Sequence, residues 1–285
     1  MNGLKRILFI GVSLWLAACA IKPSTATVWQ SPPVEFPVKM SVAERIAHIA
    51  QREHTAWYGS FIDTQGRLRH YRMAEGEAKR LQDGSMAWER VIAYWRDSGS
   101  LALLPWHDHH RQCGTIKTPT QSTQCRLFTL DAAWSAAFVS YVMVQAQVPQ
   151  FHVSPRHFDY IRAAWQQQGA YRLHNPAHTP LNTGDMLCYL RGQTPIRSYP
   201  ALLDYLQQQD AWLPAHCDIV VATQPQEIWL IGGNVFNTVA LRKLPLDAQG
   251  HLILPPTDNA ACTVHHEAAC NMNRQNWVAV LKLAV

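Results

Sequence analysis

Charged side chains are scarce in this sequence. Asp, Glu, Lys and Arg make up 16% of its 285 residues, against about 25% in an average soluble domain. This scarcity argues against a disordered or charge-steered protein. The chain also lacks a run of lysines and arginines, and its formal net charge is only +5. We therefore expect no nucleic-acid partner, because proteins that bind nucleic acids carry clustered basic residues.

Long apolar runs are scarce as well. The run from Ile7 to Leu16 is too short to span a bilayer, and no second run of transmembrane length follows it. Lys5 and Arg6 precede this run, and Leu16-Ala17-Ala18-Cys19 ends it in a pattern that resembles a bacterial lipobox. An ordinary secretory signal with an incidental cysteine is the alternative.

The lipobox implies that residues 1–18 are a signal peptide and that Cys19 becomes a lipidated N-terminus after its removal. No aspartate follows Cys19, which favours the outer membrane over retention in the inner membrane. Residues 19–38 are rich in proline, serine and threonine and predict a linker. We therefore expect a soluble domain that faces the periplasm on a lipid anchor.

The remaining cysteines are even in number, which in an oxidising compartment indicates disulfides. They are Cys113, Cys125, Cys188, Cys217, Cys262 and Cys270. Spacing favours the pairs Cys113–Cys125 and Cys262–Cys270, which leaves Cys188–Cys217 by elimination. Free buried thiols are the alternative. A zinc site is disfavoured because the sequence has no Cys-x-x-Cys spacing.

The pattern along the chain changes from helical to strand-like. Helical periodicity is found at 41–56, 84–98, 130–147, 154–168 and 199–209. Strand-like runs are found at 185–191, 218–223, 227–231, 235–241 and 277–283. We expect residues 39–127 to form an N-terminal helical region with a loop-rich insert at 99–127, and residues 128–285 to form the core. The order predicts an α+β fold, with helices packed on a mostly antiparallel sheet in the C-terminal half.

Short segments carry the residue types that catalysis needs. Trp134-Ser135-Ala136-Ala137-Phe138 opens an apolar helix, and Gly184-Asp185 enters a strand. His216-Cys217-Asp218 starts a later strand, and Gly232-Gly233-Asn234 lies on the next one. In this order the segments resemble the CHAP and NlpC-type branch of the papain-like superfamily, over about residues 128–245. The Trp-Ser-Ala-Ala-Phe, His-x-x-Tyr and His-Cys-Asp-Ile-Val segments also resemble an uncharacterised bacterial family, a domain of unknown function.

The papain-like resemblance implies a matching fold and, in many members, amidase or endopeptidase activity on peptidoglycan. Members of that branch have a cysteine nucleophile where this chain has Ser135, so the sequence departs from the pattern. A serine hydroxyl does not ionise as a thiol does and needs a base within hydrogen-bond distance. The resemblance makes His216 the expected base. Free N–H groups at the start of the helix would stabilise an oxyanion.

Two residues compete to orient the His216 imidazole. If segments 218–223 and 227–231 form a hairpin, Asn234 falls close to His216 on the neighbouring strand, and it also matches the family position. Asp218 is the rival, because it lies two residues from His216 and shares its face of the strand. We prefer Asn234 and leave Asp218 open.

His157 and Trp134 are further candidates, as substrate contacts. His157 could line the cleft, or it could be a histidine at the edge of the core. Trp134 could form a cleft wall, but a position in the core is the better interpretation. Structural roles also exist for Ser135 as a helix N-cap, for His216 at a strand edge and for Asn234 in a turn with positive φ.

Metal and cofactor chemistry is not expected. His107-Asp108-His109-His110 contains zinc-ligand residue types, but alternate residues in a loop do not fix a tetrahedral site. The first functional hypothesis is a hydrolase that cuts an amide bond, as in peptidoglycan, through an acyl-enzyme on Ser135. The second is a non-catalytic module that binds a cell-wall or protein partner through the same cleft. A structural envelope lipoprotein is the third.

Overall fold

A computed structural model describes residues 29–37, 39–105, 108–254 and 261–285 of the chain, with only the backbone of Asp108 and His109. The predicted signal peptide, the lipidation site Cys19 and most of the predicted linker lie outside the described residues. His107, a member of the rejected metal motif, also lies outside them.

The helices lie mostly in the first two thirds of the chain. They are α1 (Val42–Ala56), α2 (Ala87–Asp97), α3 (Asp108–Arg111), α4 (Pro119–Asp131), α5 (Ser135–Gln145), α6 (His157–Trp165) and α7 (Tyr199–Gln208). Helices α1 and α4 each begin at a capping box, made by Ser41 with Glu44 and by Thr118 with Gln121. These boxes satisfy N–H groups that the first turn of a helix leaves without a partner.

The strands form one mixed eight-stranded sheet within the described residues. They are β1 (Ser60–Ile62), β2 (Leu68–Arg69), β3 (Tyr171–His174), β4 (Met186–Leu190), β5 (Ala215–Thr223), β6 (Glu227–Val235), β7 (Thr238–Pro245) and β8 (Asn276–Leu283). Their order across the sheet is β2-β1-β7-β6-β5-β4-β8-β3. The β1–β7 pair is parallel, and the remaining neighbours are antiparallel. The predicted α+β class with a mostly antiparallel sheet is confirmed.

Helix α5 lies at the centre of the molecule. It contacts helices α1 and α2 and strands β5 and β6. Every residue from Ser135 to Met143 is buried, which explains why this helix is apolar around its whole circumference. One hydrophobic cluster runs from α1 to β8, so residues on both sides of the predicted boundary at 128 share a core. The boundary itself stays a prediction.

The structure corrects the sequence prediction in three places. The predicted loop-rich insert at 99–127 contains most of α4, and the apolar run at 130–147 is interrupted at Ala132–Trp134, between α4 and α5. The short strands β1, β2 and β3 were not predicted. Two of them come from the N-terminal half, so the sheet is not confined to the C-terminal half of the chain.

The three predicted disulfides are confirmed. Cys113–Cys125 joins the turn after α3 to α4, and Cys262–Cys270 closes a loop before β8. Cys188–Cys217 joins directly opposite positions on β4 and β5, with Cα atoms 4.1 Å apart. This last bridge holds β4 against the strand that carries His216.

The end of the predicted linker contacts the helical layer. The guanidinium of Arg90 lies 3.8 Å from the ring centroid of Trp29. The Ser31 hydroxyl donates a hydrogen bond to Asp97 at 2.6 Å. Residues 29 and 31 are therefore in contact with α2.

No single helix of the described residues is long and apolar enough to cross a membrane. Helices α4 and α5 together meet the length and composition requirement, as a pair bent by 103°.

Candidate active site

Ser135 is the first residue of α5, and its position depends on the residue before it. The Trp134 side chain is fully buried and stacks on Trp57, with ring centroids 5.5 Å apart. It also packs against Tyr94. Trp134 therefore belongs to the core, as the sequence favoured, and it does not form an exposed cleft wall. Its burial holds the start of α5 in place, where the N–H groups of the first turn have no intrahelical acceptor.

The Ser135 hydroxyl is paired with His157. Its Oγ lies 2.8 Å from Nε2 of His157, and the two residues are only 5% and 4% exposed. The sequence analysis predicts His216 as the base for Ser135 and His157 as a substrate contact. The structure thus brings Ser135 to a different imidazole from the expected one.

The contact between Ser135 and His157 arises from the packing of α6 against α5. His157 is the first residue of α6, and Tyr160 lies one turn later on the same helix. The Tyr160 hydroxyl lies 2.9 Å from the Ala136 carbonyl oxygen and 2.8 Å from Oγ of Ser140. These contacts hold α6 against the first turns of α5 and so position the His157 ring over Ser135.

His216 is held by Asp218 rather than by Asn234. Nε2 of His216 lies 2.8 Å from Oδ1 of Asp218, as expected for two residues on one face of β5. The guanidinium of Arg242 donates to the other oxygen of Asp218 at 3.1 Å. Arg242 also donates to the side-chain oxygen of Asn273 at 2.9 Å. The result is a buried polar chain that runs from His216 to Asn273.

Asn234 adopts an unusual backbone conformation near the end of β6. Its φ is 56°, in the left-handed region, and the β6–β7 register shifts between Gly232 and Val235. Asn234 therefore takes the structural role in a positive-φ position that the sequence had offered as the alternative. Gly232, two residues before Asn234, matters more to the site, because a Cβ on Gly232 would lie 2.0 Å from Oδ1 of Asp218.

The rings of His157 and His216 face each other across the site. Their centroids are 4.9 Å apart, at an angle of 48°. Burial lowers the pKa of His157 well below its usual 6.5, and His216 lowers it further, while the carboxylate of Asp218 opposes the shift. Burial by itself would raise the pKa of Asp218, but His216 and Arg242 bring it down to about 2. At neutral pH the site therefore holds a neutral His157 near an ionised Asp218.

The hydrogen bonds restrict which ring nitrogen of each imidazole carries a proton. In the neutral form of His216 that donates from Nε2 to the ionised Asp218, Nδ1 carries a lone pair. Nδ1 of His157 is buried and has no hydrogen-bond partner among the described residues. His157 can therefore accept the Ser135 proton at Nε2 only in the tautomer that leaves a buried N–H at Nδ1 unpaired.

Glu75 is a residue near this site that the sequence analysis missed. It is buried, and burial raises its pKa to about 7, although its own backbone N–H and Trp134 act in the opposite direction. Its backbone N–H donates to the carbonyl of Asn237, just beyond β6. The sequence around Glu75 gives no sign that this glutamate is buried, because its burial depends on tertiary contacts.

No group of three or more potential metal ligands occurs in the part of the chain that the structure describes. The side chains of His107 and His109 lie outside that part. The predicted absence of a metal stays a prediction. The residues around Ser135 suit proton transfer and nucleophilic attack, which need no cofactor.

Comparison with known proteins gives one match. Curated proteins and solved structures show no similarity to this chain that meets the threshold for a match, so the resemblance to papain-like domains stays a prediction. A family model matches residues 82–283. The match includes Ser135, His157, His216 and Asp218. The chain belongs to this family, which is described as uncharacterised protein conserved in bacteria (DUF2272).

Proposed function

We propose that this protein is a serine hydrolase that cleaves an acyl bond, with Ser135 as nucleophile and His157 as base. The observation that carries the proposal is the 2.8 Å separation between Ser135 Oγ and His157 Nε2 at the start of a buried helix. A nucleophile and a base at this distance meet the geometric requirement for proton transfer. A neutral imidazole, which the lowered pKa of His157 provides at pH 7, is the form that accepts a proton.

In the first half of the reaction, Ser135 Oγ attacks the carbonyl carbon of the substrate. Its proton passes to Nε2 of His157, and the carbonyl oxygen becomes an oxyanion. The free N–H groups of the first turn of α5 stabilise that oxyanion. His157 then donates the proton to the leaving amine as the carbon–nitrogen bond breaks. An ester on Ser135 remains.

In the second half, a water molecule attacks the ester and gives its proton to Nε2 of His157. The tetrahedral intermediate collapses, and the proton returns to Ser135 Oγ. His157 is cationic during each proton transfer. The ionised Asp218, which acts on the His157 pKa in the raising direction, stabilises that cation. We therefore assign His216, Asp218 and Arg242 to positioning and electrostatic support.

Peptidoglycan is the substrate that the resemblance to CHAP and NlpC-type domains favours, through amide bonds in its peptides. A lipid anchor on Cys19 would place the domain in the periplasm, on the outer membrane. Both proposals rest on sequence resemblance, and the geometry of the site supports only the proposed type of reaction.

A fluorophosphonate probe tests the nucleophile without a known substrate, because it phosphonylates activated serines. We expect the wild-type protein to gain one probe, located on Ser135 by peptide mass mapping, and Ser135→Ala to gain none. His157→Gln should lower the labelling rate by about a hundredfold or more. His216→Gln should lower it less, since the hydrogen bond to the Ser135 hydroxyl comes from His157. Equal labelling of wild type and Ser135→Ala would end the hydrolase proposal.

A non-catalytic binding module is the second candidate, and one observation favours it. Ser135 and His157 are almost fully buried, and no described residue gives Nδ1 of His157 the orienting partner that a catalytic triad provides. If this candidate is correct, wild type is inert to the probe. Ser135→Cys would then create a reactive thiol, which a cysteine-directed probe such as iodoacetamide would label. This result is expected for a site that has lost its original nucleophile.

A further inference from the structure

The turn between β6 and β7 presents a strained aromatic residue to solvent. Val235 pairs with Thr238, so Phe236 and Asn237 form a two-residue turn, with φ values of 53° and 62°. Asparagine and glycine suit two left-handed positions of this kind, whereas a bulky aromatic residue is strained there. The Phe236 side chain is 48% exposed, so burial offsets little of that strain.

A second exposed aromatic residue is attached to this turn. The Tyr71 hydroxyl donates a hydrogen bond to the carbonyl of Phe236 at 3.1 Å, and Tyr71 is 43% exposed. The hydrogen bond links residues that are 165 positions apart in the chain. Two exposed aromatic residues are therefore linked at the surface through the Tyr71 hydroxyl and the Phe236 backbone.

Glu75 is buried next to this aromatic pair. It is only 3% exposed, its backbone N–H bonds to the Asn237 carbonyl at 2.9 Å, and its carboxylate acts electrostatically on Tyr71. Its Oε2 has no hydrogen-bond partner among the described residues. No cation of the described residues is among the groups that set its pKa, which burial raises to about 7. A buried carboxyl oxygen without a partner is costly, and a cationic ligand would remove that cost.

This group of residues borders the Ser135 site. Trp134, the residue before Ser135, lies close enough to the Glu75 carboxyl to act on its pKa in the lowering direction. On the other side, Gly233 precedes the turn by three residues, and a Cβ there would meet the ring of Phe138 on α5. One strand and one tryptophan therefore connect the aromatic pair to the first turn of α5.

We propose that Tyr71, Glu75 and Phe236 form a subsite for a primary ammonium group on the ligand that Ser135 handles. A carboxylate supplies the counter-charge, and two aromatic rings attract a cation through their faces. The identity of that ligand rests on the proposed function. The ammonium subsite itself can be tested without turnover, so the two proposals can fail separately.

The test uses n-butylammonium as probe and n-butanol as its neutral counterpart, followed through the Trp134 indole N–H in ¹H–¹⁵N NMR spectra. Trp134→Phe assigns that resonance. We expect butylammonium to shift it saturably and butanol to bind at least about tenfold more weakly. Glu75→Gln should weaken butylammonium binding by about tenfold or more. Glu35→Gln, at an exposed position outside this loop, is the control and should bind as wild type does. Equal binding of the two probes, or unchanged binding to Glu75→Gln, would overturn the subsite.

Phe236→Asn separates a binding role from a purely structural one. Asparagine fits the left-handed position better, so the melting temperature should rise. Butylammonium binding should nevertheless weaken several-fold, because one ring is lost. Unchanged binding in this variant would remove Phe236 from the subsite. Fluorophosphonate labelling of the same samples reports on Ser135 independently. Absence of labelling in wild type would end the hydrolase proposal and leave the ammonium result as measured.

Discussion

Burial governs the acid–base behaviour of His157. The ring is removed from water and lies against a second imidazole, so the charged form is disfavoured and the pKa falls well below 6.5. A base of this kind stays neutral under mildly acidic conditions. The same burial makes protonation costly for the folded protein, which links the candidate chemistry to stability.

The stability of the wild-type protein should therefore depend on His157 as pH falls. Below about pH 6.5 an unfolded histidine binds a proton that the folded His157 excludes, so acid favours the unfolded state. This residue should lower the free energy of unfolding by up to about 1.4 kcal/mol per pH unit below that point. Urea denaturation at pH 8 and pH 5.5 measures the effect. His157→Gln should show a shallower pH dependence; identical slopes for the two proteins would contradict this account.

Asp218 carries a charge that a buried arginine requires. The Arg242 guanidinium is almost fully buried and contacts Asp218 at 3.1 Å. Asp218→Asn leaves that cation without a counter-charge and should lower the free energy of unfolding by about 3–5 kcal/mol. The double variant Asp218→Asn, Arg242→Met should recover part of the loss. Asp63→Asn, which breaks the more exposed pair with Arg69, should cost less than about 1 kcal/mol.

If Asp218→Asn and Asp63→Asn cost the same in urea denaturation, the buried pair does not stabilise the fold as described. The pH dependence provides a second check. Because the folded pKa of Asp218 is about 2, its contribution is present above the unfolded value of about 4 and is lost as pH falls towards 2.

Among individual residues, the sequence predicted contacts between near neighbours in the chain but not the contact between Ser135 and His157. Asp218 lies on the same strand face as His216, and the alternation of side chains along a strand makes that contact available from sequence. His157 reaches Ser135 only through the packing of two helices. The His-x-x-Tyr segment carries a weak signal, since Tyr160 shares the face of His157, but nothing local indicates which helix that face meets.

The covalent links between elements differ in the length of chain that they close. Their sequence separations are 29 for Cys188–Cys217, 12 for Cys113–Cys125 and 8 for Cys262–Cys270. Loop-closure entropy predicts stabilisation of about 3.6, 2.8 and 2.5 kcal/mol respectively. Double alanine variants of each pair, compared by thermal denaturation, should follow that order. The Cys188–Cys217 variant should also slow labelling of Ser135, because β5 carries His216; an unperturbed site would argue against this role of the bridge.

The elements that the sequence failed to predict share a physical cause. Strands β1, β2 and β3 have four residues or fewer, which is too short for the alternation of a strand to be recognised in the sequence. The break between α4 and α5 contains neither proline nor glycine. It occurs where the buried Trp134 packs on Trp57, which is a tertiary contact. The long amphipathic helices and the β5–β6 hairpin were predictable because their patterns are local.

The first described residues of the chain pack against the helices. Trp29 lies against Arg90, and its carbonyl accepts a hydrogen bond from Arg96 at 3.2 Å. A lipid anchor on Cys19 would thus be separated from this contact by ten positions. At the 3.3–3.6 Å that an extended residue spans, the reach is about 35 Å at most. The proposed anchor would keep the domain close to the membrane surface.

Removal of the proposed lipidation site tests that arrangement. We expect Cys19→Ala to leave the folded domain intact but to shift the protein from the membrane fraction to the soluble periplasmic fraction. Metabolic labelling with a palmitate analogue should mark the wild-type protein and not the variant. A wild-type protein that takes up no lipid would favour the ordinary secretory signal over the lipobox.

The pH profile of Ser135 phosphonylation tests the pairing of Ser135 with His157 most directly. A neutral His157 is required, and its pKa lies well below 6.5. The labelling rate at Ser135 should therefore be flat from about pH 6.5 to 8 and should fall only at lower pH. A rate that instead rises through about pH 6.5 or above, or a probe that never reaches Ser135, would contradict the account.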